Sequence, residues 1–230
     1  MSDPLPGAPH HLAIVPDGNR RWARARGQGP GEGHAAGIAN VGAVAQAAFE
    51  AGVQVFTFWW GSPANLTRRA PSEIAAIADV LNRWLLGPGA ALVARWGCRF
   101  DAIGRWPELC PQITPGVRAA REAAGSGPRR LVLLMGYDGR EELLDGAERL
   151  GGAGPIDPAD FGRALWTGDL PPVDLLVRTG GEPHLSAGFL LWRIAEAQLA
   201  FPEDLWPAFG PERLQEELQR FAGIERRHGA

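Results

Sequence analysis

Short apolar runs that alternate with longer stretches of helical spacing constrain the fold of this chain more than any other feature. The runs over residues 11–15, 53–60, 98–103, 130–136 and 173–177 have the length and composition of buried strands. Strands that alternate with helices are joined by right-handed crossovers, which place helices on both faces of the sheet. The sequence therefore predicts a three-layer α/β fold with a mostly parallel central sheet.

Helix candidates occupy the intervals between these runs, over residues 34–51, 71–96, 114–124 and 211–221. The second candidate contains Gly87, Pro88 and Gly89 in its middle, so we expect a break or a kink there. Residues 151–158 (GGAGPIDP) are predicted to form a loop. With 230 residues, of which 45% are hydrophobic, and no linker-like segment, we predict a single domain over residues 1–230.

The basic residues of the chain are all arginines, 23 of them against 26 acidic residues. Lysine-based chemistry, such as a Schiff base or a phosphate-loop lysine, is therefore excluded. Arginine favours bidentate recognition of phosphate or carboxylate, although codon bias explains the same composition. A net charge of -3 argues against non-specific nucleic-acid binding, so we expect no nucleic-acid partner.

Cysteine content and hydropathy exclude further classes of protein. The two cysteines, Cys98 and Cys110, match neither a disulfide framework nor a zinc site. No stretch reaches 18 apolar residues, and the first residues lack a basic segment followed by an apolar run. We therefore expect no membrane span, no signal peptide and a cytoplasmic location.

Polar residues follow three of the predicted strands, at the point where each strand ends. The first exit reads Asp17-Gly18-Asn19-Arg20-Arg21-Trp22, the second runs from Ser62 to Arg68, and the third reads RTGGE from Arg178. In open parallel sheets the ligand site lies beyond the carboxyl ends of the strands. These exits are therefore the first places to look for a functional site.

The first and third exits have the composition of anion sites. A strand-to-helix turn with arginines binds phosphate, and Asp17 fits such a turn if Mg²⁺ bridges the carboxylate and a diphosphate. The alternative for Asp17 is an Asx turn that caps a helix. Arg178 and Ser186 suggest a second phosphate site, and hence a second anionic substrate. The exit after Ser62 suits positioning of a leaving group, with an ordinary loop as the favoured alternative.

Six motifs carry a resemblance to a known family. They are HLAIVPDGNRRWAR, GHAAG, SPANLTR, RTGGE, FLLWRIAEAQLAFPEDLWPAF and IERRHG, in this order from His11 to Gly229. The chain resembles the cis-prenyltransferases, the family of the undecaprenyl diphosphate synthases, over nearly its whole length. The resemblance implies a homodimeric α/β enzyme that uses Mg²⁺ to condense an allylic diphosphate with a five-carbon isoprenyl diphosphate and releases pyrophosphate.

The resemblance also implies a role for each matching residue. Asp17 would bind Mg²⁺ and assist departure of the diphosphate, and Asn65 would orient the leaving group or help proton removal. The substrate-binding residues implied are Gly18, Asn19, Arg20, Arg21 and His34 for the allylic diphosphate, Trp22 for its pocket, Ser62 and Arg68 around the reacting ends, and Arg178, His184 and Ser186 for the second diphosphate.

The chain departs from the family pattern at several of these places. Pro30 and His184 stand where the long-chain enzymes have arginines, and Gln198 replaces a glutamate expected to reach Mg²⁺. Trp60 stands where long-chain relatives have a small residue along the product tunnel. Trp60 and its neighbour Trp59 either form an aromatic wall of the site or belong to the core. The large indole of Trp60 predicts a short product, and the changes at His184 and Gln198 argue against regular repeated elongation.

Three alternatives to regular elongation stay open at this stage. The first is an irregular, lavandulyl-type condensation in which dimethylallyl diphosphate is the acceptor and the new bond forms head to middle. The second is a catalytically silent partner subunit, which the presence of Asp17, Asn65, Arg68 and Arg178 argues against. The third, ranked below condensation, is a hydrolase or a terpene cyclase that needs a single diphosphate substrate.

Overall fold

The computed structural model of the chain describes residues 4–151 and 154–224, which form a single α/β domain. Its centre is a sheet of six strands in the order β3-β4-β2-β1-β5-β6, and every pair of neighbours in it is parallel. The strands are β1 His11–Val15, β2 Val55–Gly61, β3 Arg99–Ile103, β4 Arg130–Met135, β5 Leu175–Arg178 and β6 Gln198–Ala200. The predicted α/β class with a parallel sheet is confirmed.

Helices connect the strands and cover both faces of the sheet. They are α1 Asn19–Arg24, α2 Pro30–Glu50, α3 Pro63–Arg68, α4 Pro71–Trp84, α5 Ala90–Trp96, α6 Trp106–Leu109, α7 Thr114–Glu122, α8 Gly139–Leu150, α9 Pro158–Ala164 and α10 Pro211–Ala222. Helix α2 begins four residues before the predicted start, because Pro30 occupies its first turn, where a missing N–H costs nothing. The strand β6, of three residues, was not predicted from the sequence.

The predicted break at Gly87, Pro88 and Gly89 takes the form of a wider helical turn. Residues Leu85–Gly89 form one π-helical turn between α4 and α5, with Pro88 inside it. A proline lacks the N–H that an α-helix needs at an interior position, and a π-turn is one way to accommodate it. The chain therefore continues from α4 into α5 instead of turning away.

Two apolar clusters fill the space on either side of the sheet. The larger one packs α2, α4, α5, α7 and α10 against one face, with Phe56 and Phe58 of β2 pointing into it. The smaller one covers the other face and includes Tyr137, Phe189 and Leu190. Burial of these side chains stabilises the layers and fixes the carboxyl ends of β1, β2 and β5 side by side.

Parts of two predictions fall outside the described residues. They are positions 152 and 153 of the loop predicted over 151–158, and every residue after Ile224 of the last motif, IERRHG. The extent of the domain over the whole of residues 1–230 stays a prediction.

Candidate active site

The three polar strand exits meet at one edge of the sheet. Because β1 lies between β2 and β5, the residues that follow these strands become neighbours in space. They surround a cavity of about 870 Å³. The residues predicted for two facing diphosphate sites lie around a single cavity.

An ion pair joins the first exit to the third. Nη2 of Arg178 donates a hydrogen bond of 2.8 Å to Oδ2 of Asp17. Nη1 of Arg178 donates to Oγ of Ser186 at 2.7 Å and to the carbonyl oxygen of His184 at 2.8 Å. Arg178 is only 4% exposed, so this guanidinium is held in a fixed orientation behind the cavity wall.

The backbone of the two exits is joined as well. The amide of Asp17 donates to Oγ1 of Thr179 at 3.0 Å, and the same hydroxyl donates to the carbonyl oxygen of Asp17 at 2.8 Å. Gly18 has φ 105°, where a Cβ would lie 2.8 Å from a methyl carbon of Leu205. Glycine at this position therefore lets the chain turn sharply from β1 into α1, which keeps Asp17 at the strand end.

Arg21 lies on the same side of the cavity as Asp17. Its Nη1 donates to the carbonyl oxygen of Gly180 at 3.0 Å, and its Nη2 lies 3.6 Å from Oδ1 of Asp17. The Nη2 atom of Arg21 and the Nε atom of Arg178 are buried without a hydrogen-bond partner in the described parts of the chain. Each of these two guanidinium groups therefore has one buried donor that the described residues leave unsatisfied.

Charged side chains surround His34. The start of α2 places this histidine in the cavity wall. Nε2 of His34 lies 3.7 Å from Oε1 of Glu73, and Nη1 of Arg69 lies 3.8 Å from the same oxygen. Burial and the nearby charge of Arg69 lower the pKa of His34 to about 4. His34 is therefore neutral at pH 7, and its Nε2 can accept a proton or, as the other tautomer, donate one.

Ser62 and Asn65 form a capping box at the start of α3. The amide of Asn65 donates to Oγ of Ser62 at 3.1 Å, and the amide of Ser62 donates to Oδ1 of Asn65 at 3.2 Å. Both side chains also line the cavity. The cap uses the side-chain oxygen of Asn65 as an acceptor and thereby fixes the orientation of this side chain.

Most of the predicted site residues line the cavity. They are Asp17, Gly18, Asn19, Arg20, Arg21, His34, Ser62, Asn65, Arg178 and Ser186. Among the residues that the structure describes, three predicted ones lie outside the lining. Trp22 packs under the guanidinium of Arg26 at 4.1 Å, Arg68 is exposed at the end of α3, and the ring of His184 is exposed 3.9 Å from Glu182.

Sequence reasoning missed Arg69 and Asp138, which line the cavity, whereas Arg24, which also lines it, was considered as a replacement for the arginine lost at Pro30. Arg69 follows Arg68 directly, but α3 ends at Arg68 and the chain turns to extended backbone at Arg69. This turn directs the second arginine of the pair to Glu73 and His34. The two adjacent arginines in the sequence indicated that one of them could line the site. The end of α3 at Arg68 determines that it is Arg69.

Trp59 and Trp60 both line the cavity, from opposite faces of β2. Trp60 is 9% exposed and belongs to the larger core cluster, with its ring edge-on to His34 at 6.3 Å. Trp59 packs against the smaller cluster, 6.1 Å from the ring of Phe189, and donates to the carbonyl oxygen of Tyr137. The sequence left open whether these tryptophans form a wall of the site or belong to the core. Trp60 does both, since it is a core residue that lines the cavity.

The residues around Asp17 fit a magnesium site in which a phosphorylated substrate and water would supply most of the ligands. No cluster of three or more histidine, cysteine or acidic residues able to hold a metal occurs within residues 4–151 and 154–224. Mg²⁺ is usually bound by one or two carboxylates together with phosphate oxygens and waters. Asp17 supplies one carboxylate, 34% exposed at the cavity, beside arginines that would hold the phosphates.

Comparison with protein families decides the identity of the fold. The prenyltransferase family model described as undecaprenyl diphosphate synthase matches residues 15–229. The chain belongs to this family. An isoprenyl transferase of Zymomonas mobilis is 36% identical over 96% of the chain and 92% of its own length, and one of Thermus thermophilus is 34% identical over 96% and 89%.

A solved structure of a family member has the same fold. The lavandulyl diphosphate synthase of Lavandula x intermedia, crystallised in complex with dimethylallyl diphosphate, superposes with a TM-score of 0.90 at 30% identity. The match covers 97% of this chain and 99% of that one. As a member of the isoprenyl transferases, the chain is a prenyltransferase. No helix in the described part of this family member is both long and apolar enough to cross a membrane.

Proposed function

We propose that this prenyltransferase condenses an allylic diphosphate of dimethylallyl or geranyl type with a second five-carbon isoprenyl diphosphate, and that its product is short. The observation that carries the proposal is the Asp17–Arg178 ion pair, which places a carboxylate and arginines from two strand exits at one cavity. A cavity of about 870 Å³ has the size of a small-molecule site and accommodates two small substrates side by side.

Arginines and His34 would bind the diphosphate of the allylic substrate. Arg20 and Arg21 line the cavity beside Asp17, and Nη2 of Arg21 is an unsatisfied donor. Ionisation of the allylic carbon–oxygen bond leaves an allylic cation and a diphosphate with an additional negative charge. The fixed guanidinium groups stabilise that charge more strongly in the transition state than in the substrate, which lowers the barrier.

The second substrate would bind at the third exit and attack the cation. Arg178 and Ser186 would hold its diphosphate, with Asn65 across the cavity near the reacting carbons. The double bond of the acceptor forms the new carbon–carbon bond, and the resulting cation loses a proton to the departed pyrophosphate. When bound at Asp17, Mg²⁺ would supply charge neutralisation for the leaving diphosphate.

The position of Trp60 supports a short product. Its indole lines the cavity and is backed by the larger core cluster. The tail of a bound prenyl substrate would pack against the indoles of Trp59 and Trp60, which are the large apolar side chains of the lining. Trp60 therefore blocks chain growth after few condensation steps.

Irregular condensation is the second candidate function, and the third strand exit favours considering it. His184 points away from the cavity, and Nη2 of Arg178 lies near both Asp17 and Glu182. Because position 184 holds a histidine instead of an arginine, fewer cationic side chains are available to bind the diphosphate of the acceptor. The relative of known structure is a lavandulyl diphosphate synthase and was crystallised with dimethylallyl diphosphate.

A homodimer is part of the proposal. Phe189 and Leu190, at the start of the apolar motif FLLWRIAEAQLAF, are core residues with no exposed surface. Leu199 of the edge strand β6 is 47% exposed, next to a groove of about 290 Å³ between β6 and α10. A second copy that covers this edge would bury Leu199 and pair the open strand edge.

Product analysis tests the condensation and distinguishes its two forms. Purified enzyme with Mg²⁺ is incubated with dimethylallyl and isopentenyl diphosphates, with geranyl and isopentenyl diphosphates, and with dimethylallyl diphosphate alone. A head-to-tail product that needs isopentenyl diphosphate supports regular coupling, and a branched product from dimethylallyl diphosphate alone supports irregular coupling. Release of pyrophosphate from a single substrate, without a condensed product, would refute both and indicate a hydrolase or a cyclase.

A further inference from the structure

We propose that Trp206 is a positioning residue for Asp17, the carboxylate that would bind Mg²⁺ at the cavity. The backbone amide of Trp206 donates a hydrogen bond of 2.9 Å to the carbonyl oxygen of Asp17. Trp206 is completely buried and is not among the residues that line the cavity, so it acts through Asp17 and does not touch a substrate. The inference rests on the proposed function, because it takes Asp17 as a residue of the active site.

The segment 202–206, which contains Trp206, bonds to two of the strand exits. The amides of Gly180 and Gly181, in the third exit, donate hydrogen bonds of 2.7 and 2.9 Å to carbonyl oxygens of this segment. The amide of Trp206 makes the corresponding bond to Asp17 in the first exit. One short segment therefore holds together the two exits that, in the proposed function, bind the two diphosphates.

The amide of Trp206 is available to Asp17 because of its place in the chain. Trp206 begins a short 3-10 helix, Trp206–Ala208, and the first N–H groups of a helix have no partner within it. The same carbonyl oxygen of Asp17 also accepts from the hydroxyl of Thr179 at 2.8 Å. The backbone of Asp17 is thus held from two directions, and its position determines where the carboxylate begins.

The indole of Trp206 fixes this amide to helix α2. Its Nε1 donates to the carbonyl oxygen of Gly37 at 2.7 Å, and its ring is stacked on that of Phe209 with centroids 6.0 Å apart. In the opposite direction, Nδ2 of Asn40 donates to the carbonyl oxygens of Trp206 at 2.7 Å and of Phe209 at 2.8 Å. A buried donor that loses its partner is costly, so these bonds hold the turn in one position on α2.

Gly37 provides the room that this arrangement needs. A Cβ on Gly37 would overlap Oδ1 of Asn19 and would lie 3.1 Å from Cδ1 of Trp206. Nδ2 of Asn19 in turn donates to the carbonyl oxygen of Pro16, the residue before Asp17, at 3.1 Å. Helix α2 therefore supports Asp17 from both sides, through Asn19 before it and through Trp206 at its own carbonyl group.

A residue that acts through Asp17 loses its effect when Asp17 itself is disabled. Trp206→Phe keeps a ring in the core and removes the indole N–H that ties the turn to α2. We expect kcat to fall about tenfold, with the KM for each substrate changed by less than about threefold, because small displacements of catalytic groups are costly. In the Asp17→Asn background the same substitution should change kcat by less than about twofold, since the two residues share one interaction.

A binding measurement makes the test independent of turnover. The analogue of dimethylallyl diphosphate in which sulfur replaces the bridging oxygen ionises far more slowly, and it is titrated calorimetrically into the full-length enzyme with and without Mg²⁺. The quantity compared between variants is the gain in affinity that Mg²⁺ produces. We expect this gain to be smaller by about threefold or more in Trp206→Phe, and to be lost in Asp17→Asn.

Trp106→Phe is the matched control. Trp106 is also buried, and its indole also donates to a backbone carbonyl oxygen, that of Ala102 at 3.2 Å, but it does not line the cavity. Its loss should leave kcat within about twofold of wild type and the gain from Mg²⁺ unchanged, because an indole bond elsewhere in the core does not hold Asp17. Thermal melting verifies that each variant is folded. Asn40→Ala, which removes both bonds from Asn40 to the turn, replaces Trp206→Phe where the latter is not.

The outcomes separate this inference from the proposed function. A kcat and a gain from Mg²⁺ that are equal in Trp206→Phe and in the wild type would overturn the positioning role. A full additional loss of kcat when Trp206→Phe is combined with Asp17→Asn would overturn it as well. A wild type that does not condense its substrates, but whose gain from Mg²⁺ depends on both residues, would refute the proposed function and leave the positioning role in place.

Discussion

Arg178 and Asp17 are 161 positions apart in the chain, yet Nη2 of the arginine lies 2.8 Å from Oδ2 of the aspartate. The parallel pairing of β1 with β5 brings them together, since Val15 is in register with Arg178. The pair gives the cavity a carboxylate for a metal ion and a buried guanidinium for an anion at the same point. Removing either member therefore affects both substrates.

The first prediction concerns the guanidinium of Arg178. Its two terminal nitrogens contact Asp17, Ser186 and the carbonyl oxygen of His184, and a lysine has one nitrogen with which to replace them. We expect Arg178→Lys to lower kcat/KM about 100-fold in a pyrophosphate-release assay. Arg149→Lys, an exposed arginine of α8 paired with Asp145, is the matched control and should remain within about twofold of wild type. A loss of less than about threefold for Arg178→Lys would contradict this role.

The second prediction distinguishes the two adjacent arginines after α3. Arg69 lines the cavity and lies 3.8 Å from Glu73, whereas Arg68 is exposed to solvent. We expect Arg69→Gln to raise KM for the allylic diphosphate by about tenfold or more, because a charge-assisted contact to phosphate is lost. Arg68→Gln should change KM by less than about twofold. The reverse order would show that the arginine of the SPANLTR motif is the one that binds substrate.

The third prediction concerns the metal. Asp17→Asn removes the carboxylate charge and keeps the shape of the side chain. We expect kcat to fall by about 100-fold and the Mg²⁺ concentration for half-maximal activity to rise, and we expect EDTA to abolish the activity of the wild type. Asp138→Asn, a second acidic residue of the lining, serves as the comparison. Wild-type activity that persists in EDTA would exclude the metal from the reaction.

The fourth prediction concerns stability against acid. His11 is fully buried between Thr57 and the carbonyl oxygen of Pro171, and burial lowers its pKa to about 4. An unfolded histidine has a pKa near 6.5 and binds a proton first, so the free energy of unfolding falls as the pH drops from about 6.5 to 4. At pH 4.5, protonation of His11 in the unfolded state lowers the free energy of unfolding by about 2.5 kcal/mol. Urea unfolding at pH 7 and pH 4.5 gives the drop in the free energy of unfolding between the two pH values. We expect this drop to be about 2.5 kcal/mol smaller in His11→Gln than in the wild type. Equal losses in the two proteins would contradict the assignment.

The fifth prediction concerns a buried hydrogen bond below the smaller apolar cluster. The hydroxyl of Tyr137 donates to Oε2 of Glu142, and the amide of Thr167 donates to Oε1 at 2.8 Å. Burial, together with the charge of Glu142, raises the pKa of Tyr137, so the phenol stays protonated. Tyr137→Phe leaves a buried carboxylate oxygen without its donor, and we expect it to cost about 1 to 3 kcal/mol in the free energy of unfolding. An unchanged urea midpoint would show that the carboxylate finds another donor.

The order of strands and helices and the three polar exits follow from local sequence. Apolar runs and helical periodicity depend on neighbours within a few residues, so they predicted five of the six strands and the layered class. The motifs predicted the family, and with it ten residues that line the cavity. Gln198–Ala200 escaped prediction, because a strand of three residues has too little pattern to distinguish it from buried loop.

The tertiary structure decided which of these residues meet and which face the cavity. The sheet order, which local sequence does not contain, merged two predicted diphosphate sites into one cavity and paired Asp17 with Arg178. The end of α3 placed Arg69 rather than Arg68 in the lining, since the direction of a side chain changes with each residue where a helix stops. Packing of α4 on β2 placed the ring of Trp84 edge to face with the ring of Phe58. Contacts of this kind join segments that are distant in sequence, and the geometry of the packed layers alone determines them.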